Sequence, residues 1–211
     1  GRDRSPLSHH SKHHHPRPRM IPIPCKTRQE SGDKGLNDLP VRDRETGDVT
    51  VVVETPRGSH NKYKYDGERR ALRLGAVLAE GLSFPYDFGF VPSTQGEDGD
   101  PLDVLVFLDH GVPPGCVVTA RLIGVLEVRQ REGRGKWKRN DRFFAVATHA
   151  HAHGHLHTLA DLRPHLLDEV ESFFIHYAGF NGKTLEVLDR RGPKRAERLL
   201  KVGARLFERK R

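Results

Sequence analysis

The sequence predicts an α+β chain that is mainly β, built as an antiparallel barrel or a strongly bent sheet with flanking helices. Eight short apolar runs rich in β-branched residues recur between residues 49 and 189. Their connections are short and turn-rich, which disfavours βαβ crossovers. Apolar periodicity of three and four residues appears in only two segments, both near the C-terminal end.

Residues 1–45 are expected to form a poorly ordered extension, and 46–211 a single domain. The first 19 residues are rich in His, Arg, Pro and Ser, with no apolar period. Met20 is the only methionine of the chain and is expected to mark the natural start. Residues 26–48 are polar and turn-rich. The run VTVVVET (49–55) then reads as a first strand, closed by Pro56, Gly58 and Ser59. Further strands are expected at 63–65, 72–78, 88–91, 102–108, 116–128, 143–148 and 184–189. In 165–177, Leu166, Val170, Phe173, Phe174 and Tyr177 share one helical face. The segment 194–210 carries a narrow stripe of Ala196, Leu199, Leu200, Gly203, Leu206 and Phe207. Pro193 suits its first turn, and basic residues crowd its last, where the helix dipole favours them.

Charge is unevenly spread over the 211 residues. The formal net charge is +8, yet residues 190–211 alone carry +8 and residues 1–19 carry +4, so the body is mildly acidic. Nucleic acid is therefore not an expected partner. The longest unbroken apolar stretch is five residues, as at 104–108, far short of the ~18 that cross a bilayer. No membrane partner is expected. Cys25 and Cys116 form neither a disulfide framework nor a zinc ribbon, which favours a reducing, cytoplasmic home.

The most informative stretch is EDGDPLDVLVFL (97–108). Gly99 permits a tight turn and Pro101 stiffens it, so Asp98, Asp100 and Asp103 can converge on one point. Such convergence is favourable around a hard cation, and Mg²⁺ suits the oxygen donors. An EF-hand is excluded, because Asp103 stands where its loop requires glycine. Taken alone, the stretch also fits a solvated acidic hairpin.

In order along the chain, five segments resemble family I soluble inorganic pyrophosphatases. These are VVVETPRGSHNKYKYD (51–66), FPYDFGFVPST (84–94), EDGDPLDVLV (97–106), PPGCVVTARLIGVLEV (113–128) and ESFFIHY (171–177). Five ordered matches are far more specific than one. The resemblance implies a five-stranded, OB-like closed barrel with flanking helices, binding pyrophosphate or a related phosphoanhydride together with Mg²⁺. Carried over by position, Asp98, Asp100 and Asp103 would hold metal, with Asp100 also accepting a proton from the attacking water. Glu54 would orient waters, while Lys62, Arg142 and Tyr177 would hold phosphate oxygens. Asp141 is expected to replace a metal-binding carboxylate that Asn140 lacks.

The pattern departs from the family at Lys64 (a Glu there), Gly75-Ala76 (an Asp-Arg pair), Phe88 (Tyr), Gln130 and Asn140 (Asp), and Ala178 (Lys). The loop 129–142 carries seven Lys/Arg against Glu132 and Asp141. It can resupply cations to the site or stand as a solvated basic hairpin. The alternation His149, His151, His153, His155 and His157 reads as a surface loop in preference to a zinc or nickel site. Lone Trp137 is read as local packing ahead of a base-stacking platform. Three functions compete: a Mg²⁺-dependent hydrolase, a catalytically silent homologue that binds a phosphorylated ligand or partner, and, least expected, nucleic-acid binding by the basic tails. A homo-oligomer is open.

Overall fold

The computed structural model describes residues 35–210. The basic lead, Met20 and most of the expected extension lie outside them. The strands are β1 (Val49–Thr55), β2 (Asn61–Asp66), β3 (Ala71–Val77), β4 (Asp87–Val91), β5 (Leu102–Phe107), β6 (Val117–Glu132), β7 (Lys138–Arg139), β8 (Arg142–Ala147) and β9 (Lys183–Arg191). The helices are α1 (Leu166–Phe180) and α2 (Pro193–Lys210).

Five strands close on themselves, since β1 pairs with β4, β4 with β5, β5 with β8, β8 with β6, and β6 again with β1. Four of the five pairings are antiparallel and β5–β8 is parallel. This corrects the wholly antiparallel expectation. A closed ring with an odd number of strands cannot alternate direction at every step, so one pair must run parallel. The β2–β3 hairpin stands apart as its own two-stranded sheet, and β9 extends β6 on the far side.

Every residue of β1, β4 and β8 is buried, so these strands are covered on both faces. Val104 and Val106 share one face of the sheet with Phe143 and Ala145, Leu105 and Phe107 share the other with Phe144, and α1 adds Val170, Phe173 and Phe174 to the same core. α2 contributes Ala196 and Leu200 to the same core. At Gly89, a Cβ atom would stand 2.0 Å from the Val52 carbonyl oxygen, so only glycine lets β4 approach β1 this closely.

A smaller cluster of Val52, Tyr65 and Phe90 lies outside the ring, covered by Leu36, Leu39 and Leu72. The Leu36 amide donates to the Tyr65 hydroxyl at 3.1 Å, and Arg42 pairs with Glu197. Leu36, Leu39 and Arg42, within the expected extension, thus pack on the domain. No helix among the described residues is long and apolar enough to cross a membrane.

Candidate active site

A cavity of about 830 Å³ gathers the start of β5, the β2–β3 hairpin, the β6–β7 hairpin, the C-terminal half of α1 and the first residues of β9. It is lined by Glu54, Lys62, Asp98, Asp100, Asp103, Arg142 and Tyr177. Residues that lie up to 123 positions apart in the sequence are thus collected at one place.

Glu54 sits near the end of β1, where its carboxylate accepts the Tyr65 amide at 2.6 Å. Burial pushes its pKa up to about 7. Lys62 and Lys64 are two residues apart on β2 and so share one face of the hairpin. The Lys62 ammonium stands 4.5 Å from the Phe88 ring centroid and 5.8 Å from those of Phe84 and Tyr177. Phe88 therefore supplies an aromatic face to the lysine in place of the hydroxyl a tyrosine would bring. Burial holds Lys62 below the usual lysine range.

The turn before β5 follows the sequence logic. Gly99 adopts a positive φ of 94°, and the Asp98 carboxylate accepts the Asp100 amide at 3.2 Å. Lys64 Nζ stands 2.8 Å from Asp100 Oδ2. Arg142, buried at the start of β8, donates to Asp103 Oδ2 at 2.5 Å and to the Asn140 side chain, and its guanidinium lies 5.1 Å from the Phe174 ring centroid. Its Nε is buried without a hydrogen-bond partner, an unspent donor beside the cavity. Burial, and then the Asp103 carboxylate, raise Asp98. Burial also pushes the Tyr177 hydroxyl up to about 12, so it remains a neutral donor.

Asp141 is a correction: it does not line this cavity. Successive residues entering β8 point to opposite sides, so Arg142 faces inward while Asp141 faces α2. There it accepts two nitrogens of Arg139 at 2.8–3.0 Å and the Val128 amide at 3.0 Å. Arg139 and Arg195 also hold Glu127, at 2.8 and 2.6 Å, tying β6 to α2.

Among the described residues, no three His, Cys, Asp or Glu side chains stand together as a ready metal site. Asp100 and Asp103 are turned to Lys64 and Arg142. In kind, the donor set fits a hard divalent cation, with Asp98 and Asp100 on the turn, Asp103 at the start of β5, and Asp98 destabilised as an anion by burial and then by Asp103. Lys64 and Arg142 are the partners such a cation would displace.

Of the two readings of the basic loop, the one that brings cations to the site holds for Arg131, Lys136 and Lys138, which line the cavity's outer end; the sequence reading missed Lys183 of β9, which lines it too. The loop's charge was the visible signal. Lys183 arrives through the pairing of β9 with β6, opposite Glu132, which no local pattern reveals. Trp137 packs within the hairpin, with the guanidinium groups of Arg129 and Arg131 4.7 and 4.6 Å from its ring centroid. In the His-rich loop, Asp109 accepts the His151 and Ala152 amides at 2.8 and 3.0 Å, and the His153 ring lies 5.7 Å from that of Phe107.

The family model for inorganic pyrophosphatase matches residues 51–208. The inorganic pyrophosphatase of a Synechocystis species is 36% identical over 153 residues, which is 72% of this chain and 87% of that protein. That of a Nostoc species is 37% identical over the same coverage. The crystal structure of inorganic pyrophosphatase from Thermus thermophilus superposes with a TM-score of 0.75 at 32% identity, covering 82% of this chain and 99% of that one. The family model spans most of the chain and the fold superposes on a member's crystal structure: the chain belongs to the inorganic pyrophosphatase family.

Proposed function

We propose that this protein hydrolyses inorganic pyrophosphate to two phosphates with Mg²⁺ as its cofactor, in a reducing, cytoplasmic setting. The observation that carries this reading is the gathering of Asp98, Asp100 and Asp103 with Lys62, Arg142 and Tyr177 around one cavity in a member of this family.

Asp98, Asp100 and Asp103 would hold the metal. Mg²⁺ bound there supplies neutralising charge to the phosphate oxygens and acidifies the attacking water. Every other part belongs to the chain. Asp100 accepts the proton of that water, and Glu54, buried beside Lys62, orients it. Lys62, Arg142 and the Tyr177 hydroxyl hold phosphate oxygens, the guanidinium offering a planar fork of donors. Water's oxygen bonds to phosphorus as the bridging P–O bond breaks, and the second phosphate leaves with the bridging oxygen.

The test is phosphate release from pyrophosphate by metal-stripped protein, repleted in turn with Mg²⁺, Zn²⁺ and Ca²⁺. Mg²⁺-dependent release at enzymatic rates supports the reading. Release that is indifferent to every added metal, or absent with all of them, removes it.

A further inference from the structure

The charges lining the cavity are segregated. At the inner end, Lys62, Lys64 and Arg142 face four carboxylates, Glu54, Asp98, Asp100 and Asp103. At the outer end, Arg131, Lys136, Lys138 and Lys183 face a single carboxylate, Glu132. None of the four outer cations has an ion-pair partner among the described residues, whereas Lys64 and Arg142 are both paired. One end therefore attracts cations and the other attracts anions without help from a metal.

The two ends are also apart. Arg142 pairs with Leu126 of β6, Lys138 pairs with Gln130 further along that strand, and Arg131 follows it, so the outer cations continue in order from the acidic end. Pyrophosphate has a single bridging oxygen. A cavity of about 830 Å³ that continues past the acidic turn into a group of unpaired cations suits a longer chain of phosphates.

We infer that the outer basic group is a subsite for the phosphates of a linear oligophosphate, of which tripolyphosphate is the shortest. The inference rests on the pyrophosphatase reading and extends it to a substrate class. The terminal phosphorus lies at the acidic end, where the attacking water's oxygen bonds to it and its proton passes to Asp100. The bridging P–O bond breaks, and pyrophosphate leaves with the bridging oxygen, still held by the lysines. The ligand is inorganic in preference to a nucleoside triphosphate, because two guanidinium groups already pack against Trp137, the aromatic side chain of that hairpin.

The experiment measures calorimetric affinities of pyrophosphate, tripolyphosphate and ATP for the full chain in metal-free buffer, where no turnover intervenes. Wild type is compared with the exposed double variant Lys136→Met/Lys138→Met and, separately, with Lys183→Met. The double variant is expected to weaken tripolyphosphate about tenfold more than pyrophosphate, the scale of one or two charge-assisted contacts. Lys183→Met is expected to act in the same direction. Equal weakening of the two ligands would assign the lysines to pyrophosphate itself and overturn the inference. Binding of ATP more tightly than tripolyphosphate would overturn the inorganic assignment. Phosphate release from pyrophosphate with Mg²⁺, followed in parallel on wild type, reports separately on the parent reading.

Discussion

Lys64 Nζ stands 2.8 Å from Asp100 Oδ2, so the carboxylate best placed to take the proton from water already carries an internal counter-cation. The pair is about half exposed, and in such a setting an ion pair is worth little. A divalent ion binding at the turn must displace it all the same.

Lys64→Met is therefore expected to tighten Mn²⁺ binding to the substrate-free protein by about fivefold, the scale of one half-exposed ion pair. Water-proton relaxation in a Mn²⁺ titration reads this directly. Lys138→Met, which removes a charge from the outer end, should change it much less. Unchanged Mn²⁺ affinity in Lys64→Met would show that the ammonium does not compete with the metal.

Glu54 predicts a pH dependence in metal-free protein. Its pKa rises from an ordinary 4.5 to about 7, burial being the main cause. A raised carboxyl pKa means that the folded state holds its proton longer than the unfolded state. The contribution is fully present below about 4.5 and is lost as pH rises through 7. Glu54→Gln should flatten the fall in Tm between pH 5 and about 7.5. An identical slope in the variant would locate the titration elsewhere.

Glu127 predicts the opposite slope at lower pH. Its hydrogen bond from Arg195, reinforced by Arg139, holds its pKa near 2 against an ordinary 4.5. A lowered pKa stabilises the fold above 4.5, and that contribution is lost as pH falls towards 2. Glu127→Gln should lower Tm at pH 7, with the difference from wild type narrowing steadily as the solution is acidified through this window. The readout is a set of thermal melts at stepped pH. A gap that is constant with pH would assign the loss to packing alone.

Gly89→Ala tests the close approach of β4 to β1. The new Cβ would meet a backbone oxygen at 2.0 Å, and neither strand can yield without disturbing a ring that is buried on both faces. A loss of about 3 kcal/mol or more in urea unfolding is expected. Gly99→Ala, at a turn with open space and a positive φ of 94°, should cost about 1 kcal/mol from backbone strain alone.

Local chemistry was legible in the sequence, and pairing across the chain was not. The β-branched run at 49–55 became β1 with the expected bounds, and the spacing of Val170, Phe173 and Phe174 placed one face of α1 on the core. The turn at 97–103 was readable because Gly99 and Pro101 constrain it within a few residues. The parallel β5–β8 pairing follows from ring closure, a property of all five strands together. Asp141 was misassigned because a one-residue shift in a strand exchanges inward for outward, and no feature of RNDR announces which residue faces in. Lys183 reached the cavity through a partner strand more than fifty residues upstream. Leu36 and Leu39 were hidden in a polar, turn-rich stretch, and only the exposed edge of the Tyr65 and Phe90 cluster gives them something to cover.

The central claim is that Asp100, on the turn entering β5, serves pyrophosphate hydrolysis. Its most direct test compares initial rates of phosphate release from pyrophosphate with saturating Mg²⁺ for wild type and Asp100→Asn, purified in the same way and matched by circular dichroism. The account predicts Mg²⁺-dependent release in wild type and a fall of about 10² or more in kcat for the variant, as befits a group that accepts a proton during reaction. Equal rates in the two proteins would contradict it.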